Sequence, residues 1–189
     1  MIRQWQNEQV VMTHNHEQLI QNQERFKYIC GIRAKRGYRS EVNYLKSWEE
    51  GSIMGVIRLN RININIPIVQ GTTDNCLSIG AGHIRESDLP GQLGNCVLAG
   101  HRSYTHGKMF NRLGEIQLGD EIEIDFGKMT FIYEVYQIRI VEPDDLSVLN
   151  RNDINRILTL ITCHPIRIAD KRLVIHSKLK NKKKIDEIR

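Results

Sequence analysis

Cys163 closes an alternating apolar run, Thr159-Leu160-Ile161-Thr162-Cys163, and is followed by His164-Pro165. Arg172 sits inside the next such run, Lys171-Arg172-Leu173-Val174-Ile175-His176. Upstream, His101 ends the run Val97-Leu98-Ala99-Gly100-His101. These three residue types cover three jobs. A thiolate attacks a carbonyl carbon, and a neighbouring cation favours the thiolate over the thiol. An imidazole protonates a leaving amine and deprotonates an incoming one. A guanidinium stays charged near neutral pH and offers its fork of donors to an oxyanion or to a substrate backbone. The combination points to acyl transfer through a thioester. His164 and His176 also lie near Cys163 in the chain, and spacing alone does not choose among the three histidines. A single cysteine with scattered histidines is a poor zinc pattern, and no acidic cluster suits a calcium site, so no metal or cofactor is expected.

The elements that must position these residues read as β. In the run before Cys163, the period of two puts Ile157, Thr159, Ile161 and Cys163 on one face and Leu158, Leu160 and Thr162 on the other. Cys163 is expected to end its strand at a sheet rim, where a thiol is reachable while the strand below fixes its direction. A short loop then leads to a strand over Lys171–Leu179, with Arg172, Val174 and His176 on one face. Antiparallel pairing of the two strands brings Arg172 close to Cys163. Alternation also marks Ile62, Ile64 and Ile66. It recurs in Ile122, Ile124 and Phe126, with a turn at Gly127-Lys128 and a return through Phe131, Tyr133, Val135, Ile138 and Ile140. Several short strands with Gly, Pro and Asn-Asp breaks predict a mostly β fold, a closed or nearly closed barrel.

The first fifty residues have a different texture, rich in Gln, Asn and Glu. Trp5, Met12, Leu19 and Phe26 recur at a heptad interval, which predicts a helix with a narrow apolar stripe lying against the barrel. Ser40 is a suitable N-cap for a second short helix carrying Tyr44, Leu45 and Trp48, with Gly51 after its end. The expected organisation is a helical appendage over 1–52, a catalytic barrel over 53–179 and a basic tail over 180–189. The formal net charge of +5 is concentrated at the end: Lys178–Arg189 carries six Lys or Arg against two Asp or Glu. Such a tail suits a solvated end or anionic headgroups. The body has no basic stripe with interleaved aromatics, which argues against nucleic acid as a partner. The four cysteines, Cys30, Cys76, Cys96 and Cys163, form no C-x-x-C pair and are too few for a disulfide scaffold. No apolar run reaches the ~20 residues that span a bilayer.

From Ile53 to Leu179 the chain resembles the sortases, cysteine transpeptidases of Gram-positive surfaces. The resemblance is carried, in order, by Ile53-Met54-Gly55-Val56-Ile57, Ile66-Pro67-Ile68-Val69-Gln70-Gly71-Thr72, Gly80-Ala81-Gly82-His83 and Leu98-Ala99-Gly100-His101-Arg102. It continues through Phe110-Asn111-Arg112-Leu113, Leu118-Gly119-Asp120, Val141-Glu142-Pro143-Asp144-Asp145, Thr159-Leu160-Ile161-Thr162-Cys163 and Arg172-Leu173-Val174. It implies an eight-stranded sortase-type barrel with His101, Cys163 and Arg172 as the catalytic trio. Thr162 becomes a candidate substrate contact, and His83 a structural residue. It further implies cleavage of an LPxTG-like sorting signal between Thr and Gly through a thioacyl-enzyme. The implied acceptor is an amine, either a cell-wall precursor or a pilin lysine.

Ile53-Met54-Gly55 and Val141–Asp145 look like the pilin-polymerising class C, whose N-terminal lid carries an Asp-Pro-aromatic motif that this chain lacks before the barrel. Tyr38, Tyr44 and Trp48 are alternative anchors for such a cover, beside the plainer reading that this segment simply packs on the barrel. Thr162-Cys163-His164-Pro165 with Arg172–His176 looks more like classes D and E. Sortases are tethered at the extracellular face of the membrane, so membrane proximity is expected with an anchor absent from this chain. The competing reading is an inert barrel module that binds wall or pilin.

Overall fold

A computed structural model of the chain describes residues 48–102 and 109–185. Eight strands follow one another in the chain: β1 (Ile53–Leu59), β2 (Ile64–Gln70), β3 (Ala81–His83), β4 (Gly94–Ala99), β5 (Glu121–Phe126), β6 (Met129–Val141), β7 (Arg156–His164) and β8 (Lys171–Lys184). One short helix, α1 (Asp74–Ile79), joins β2 to β3, and 3-10 turns occur at Asn60–Ile62, Leu113–Glu115 and Leu146–Leu149. The strands close into a barrel in the order β1-β2-β3-β4-β7-β8-β6-β5. The expected mostly β closed barrel is therefore what the chain forms.

The alternation read in the sequence becomes the inside and outside of this barrel. Leu98, Leu158, Leu160, Leu173, Ile175, Tyr133, Ile57 and Ile124 fill the interior. Their sequence neighbours Val97, Ile161 and Val174 form a second, outer cluster with Ile84, Val141, Val148 and Leu149. That outer cluster is roofed by the segment joining β6 to β7, so both faces of β4, β7 and β8 are apolar along part of their length. Every residue of β4 is buried. Such doubly covered strands suit parallel pairing, and β4 indeed pairs β7 in parallel, from Gly94↔Arg156 to Ala99↔Ile161. The β5–β6 hairpin closes through the two residues after Phe126, with Gly127 at φ 60°, where glycine meets no steric cost.

Two differences from the sequence reading have plain causes, and the position of Trp48 agrees with simple packing on the barrel. Ile62 belongs to a 3-10 turn rather than to the strand with Ile64, because Asn63 at φ 51° turns the chain between them. β8 runs on from Leu179 to Lys184, since Met129–Ile132 of β6 supplies backbone partners for Asn181–Lys184 that composition could not reveal. Trp48 packs on the barrel core, its ring centroid 6.2 Å from that of Phe126. Phe126 pairs Met129, and Met129 pairs Lys184, so Trp48 lies toward the end of β8 remote from Arg172 and does not cover Cys163. Tyr38, Tyr44 and the helix expected from Trp5 to Phe26 lie outside the described residues.

Candidate active site

β7 lies between β4 and β8, and each neighbour brings one residue to Cys163. On the β8 side Cys163 and Arg172 are direct cross-strand partners. On the β4 side the parallel register ends at Ala99↔Ile161, and two residues further along each chain are His101 and Cys163. The continuation is tied down. The Gly100 amide donates to the Ile161 carbonyl at 3.0 Å, and the Thr162 hydroxyl donates to the Gly100 carbonyl at 2.7 Å. The amide of Phe110 donates to the His101 carbonyl at 3.0 Å. The Phe110 ring presses so closely on Gly100 that a Cβ there would come within 2.6 Å of Cδ2. Glycine before His101 is thus a packing requirement.

The neighbourhood is partly buried. Cys163 and His101 are half-buried, whereas Arg172 is 1% exposed. Burial pushes the Cys163 thiol up from its ordinary value, while the positive charges of Arg172 and then Arg102 oppose that shift. Burial likewise lowers the His101 imidazole, with the negative charge of Asp74 opposing. The resting pair is therefore mainly thiol and neutral imidazole, with two cations ready to favour the thiolate. Arg172 donates through Nη1 to the carbonyls of Ala169 at 3.0 Å and Lys171 at 2.8 Å, so it also holds the β7–β8 connection in shape.

The remaining candidates fall elsewhere. Thr162 faces the barrel interior with no exposed surface, and its hydroxyl is committed to Gly100, which leaves it no surface to offer a substrate. His176 pairs with Thr159, deeper along the ladder, where its Nδ1 meets the threonine hydroxyl at 2.9 Å. Burial and Arg139 depress it to about 4, so it stays uncharged. His164 shares its Nδ1 with Nη1 of Arg102 at 2.8 Å. His83 is buried between Gln70 and the Ser87–Asp88 turn, as a structural residue would be. Arg102 closes the motif Leu98-Ala99-Gly100-His101-Arg102, but its position there carries no signal of a role beside Cys163. Among the described residues no group of three or more His, Cys, Asp or Glu is arranged to hold a metal ion.

A closed barrel with cysteine, histidine and arginine on three adjoining strand tips defines the class: a β-barrel with a cysteine-centred site. Comparison with known proteins gives the family. The sortase domain model matches residues 57–180. Sortase D of Bacillus subtilis (strain 168) is 35% identical over 133 residues, covering 69% of this chain and 65% of that protein. The chain thus spans just under two thirds of the length of this relative. The solved Clostridium perfringens Sortase D5 transpeptidase superposes with a TM-score of 0.66 at 29% identity, covering 74% of this chain and 91% of that one. Clostridium perfringens sortase C, solved with the C-terminal cell wall sorting motif, gives a TM-score of 0.67 at 28% identity, over 87% of this chain and 89% of that one. The chain belongs to the sortase family.

Proposed function

We propose that this chain is a cysteine transpeptidase that cuts an LPxTG-like sorting signal between Thr and Gly and passes the new acyl group to an amine. The observation that carries the proposal is the strand order β4-β7-β8, with Cys163 directly opposite Arg172 and His101 on the other flank. The Cys163 thiolate adds to the threonine carbonyl carbon. The C–N bond then breaks, and the glycine amine leaves with a proton supplied by His101. A thioester joins the threonine to Cys163. The acceptor amine adds to that thioester, gives its proton back to His101 and expels the thiolate, so no oxidant, reductant or cofactor is consumed. The acceptor is a cell-wall precursor amine or a pilin lysine, at the outer face of the membrane.

Arg172 contributes a fixed positive charge near the sulfur and holds the β7–β8 connection. Thr162 acts by tethering Gly100, and with it His101, rather than by touching the peptide.

The test is incubation with a quenched LPxTG peptide plus an amine, with the ligated product read by mass. Cys163→Ala abolishes turnover, and His101→Ala and Arg172→Ala each lower kcat/KM by roughly 100-fold or more while the barrel still folds. A Cys163→Ala protein that kept full turnover would sink the assignment. A Cys163 that resisted alkylation, with its alanine variant harmless, would instead mark an inert wall- or pilin-binding module.

A further inference from the structure

One arginine at the site has no part in the reaction above. Arg102 directly follows His101, and its guanidinium reaches across to the strand that carries the nucleophile. Nη1 donates to the Cys163 carbonyl at 3.3 Å and meets Nδ1 of His164 at 2.8 Å, while Nε donates to the Asn111 carbonyl at 3.4 Å. Nη2 packs so tightly on the 3-10 turn at Leu113–Glu115 that a Cβ on Gly114 would come within 2.7 Å. The side chain is thus held at both ends. Arginine has no acceptor, so Nδ1 of His164 must accept, which leaves the His164 ring neutral with its proton on Nε2. The charged groups acting on that ring are Arg102, which disfavours protonation together with burial, and Asp170, which favours it. Those acting on the sulfur are Arg172 and Arg102.

We propose that Arg102 is a positioning residue that latches the His101 segment to the Cys163 strand through the Cys163 carbonyl and His164, and brings a second fixed positive charge to the nucleophile. The latch extends the transpeptidase reading and rests on it only for turnover. His101 lies one residue past the last backbone hydrogen bond to β7, from Gly100 to Ile161, and its own carbonyl is held by Phe110 rather than by β7. The Thr162 hydroxyl ties the His101 segment from inside the barrel, and Arg102 ties it across the rim.

The experiment follows iodoacetamide alkylation of Cys163 against pH, alongside peptide turnover, with folding checked by circular dichroism. In Arg102→Gln the alkylation midpoint rises by about one pH unit, and kcat falls by roughly tenfold or more with KM little changed. His164→Asn, whose side-chain oxygen can accept the same bond, keeps at least about half of parental kcat, whereas His164→Phe falls with Arg102→Gln. The contrast between Asn and Phe separates a hydrogen-bonded latch from bulk at this position. It also decides the matter if Arg102→Gln does not fold. A midpoint and kcat within twofold of the parent in Arg102→Gln overturns the proposal, and so does equal activity of the Asn and Phe variants. Alkylation reads the thiol without any peptide. A parent that titrates normally yet cleaves no sorting signal therefore rejects the substrate reading, while the alkylation arm still tests the latch.

Discussion

At Cys163 and His101 burial acts in opposite directions. Burial raises the thiol and lowers the imidazole, so the two values move apart with the histidine below the cysteine. In the proposed reaction the active pair is thiolate with imidazolium, which such an ordering keeps as a small fraction of the whole. Below the histidine value the thiolate fraction falls as pH drops. Between the two values the gain in thiolate cancels the loss of imidazolium. Above the cysteine value the imidazolium is lost. The kcat/KM profile is therefore a broad plateau, with an acid limb below the ordinary imidazole value of about 6.5 and an alkaline limb above the ordinary thiol value of about 8.5. A narrow bell centred near pH 7 with both limbs inside those values would reject this ordering. Cys163 and Arg172 stand out in the strand pattern, whereas His101 is selected among three histidines only by the family resemblance. Strand phase alone set Cys163 at a rim and Arg172 across from it. Arg102 and the interior commitment of Thr162 were not legible, because both depend on what lies across a strand boundary, which a local pattern does not encode.

Among the elements, the parallel β4–β7 ladder matters most for the site, since it delivers His101. On the interior side its tip is completed by the Thr162 hydroxyl on the Gly100 carbonyl. Thr162→Val keeps the shape and removes that bond, leaving a buried carbonyl one partner short. We expect a loss of roughly 1–3 kcal/mol in urea unfolding. A several-fold fall in kcat with KM nearly unchanged should accompany it, because the segment bearing His101 loosens. A change confined to KM would instead return Thr162 to the role of a substrate contact. The β5–β6 and β7–β8 hairpins could be read from alternation and turn residues, since both partners are close in sequence. The parallel pairing of β2 with β3 and of β4 with β7 could not, because a continuous apolar run such as Cys96–Ala99 names no neighbour.

For the molecule as a whole, two buried histidines link stability to acid. His176 is depressed to about 4 and His83 is lowered too, each mainly by burial. A histidine whose folded value lies below its unfolded value of about 6.5 takes up its proton more readily in the unfolded chain. Its contribution is thus complete above about pH 6.5 and is lost as the pH falls toward 4. Urea melts should show stability dropping over that window, and His176→Gln should drop less than the parent. Equal slopes in the two proteins would clear His176 of the effect.

The register around Cys163 also bears on how the protein reaches its native state. The Cys163–Arg172 pair belongs to a hairpin and needs only local closure. The contacts that Arg102 makes with the Cys163 end of β7 span 61 residues and depend on β4 docking alongside β7. Loop-closure entropy makes such long-range parallel contacts late. A folding chain is therefore expected to bring Arg172 beside Cys163 first and His101, the proposed proton carrier, last. Thiol chemistry is left without its acid–base partner until the barrel has closed.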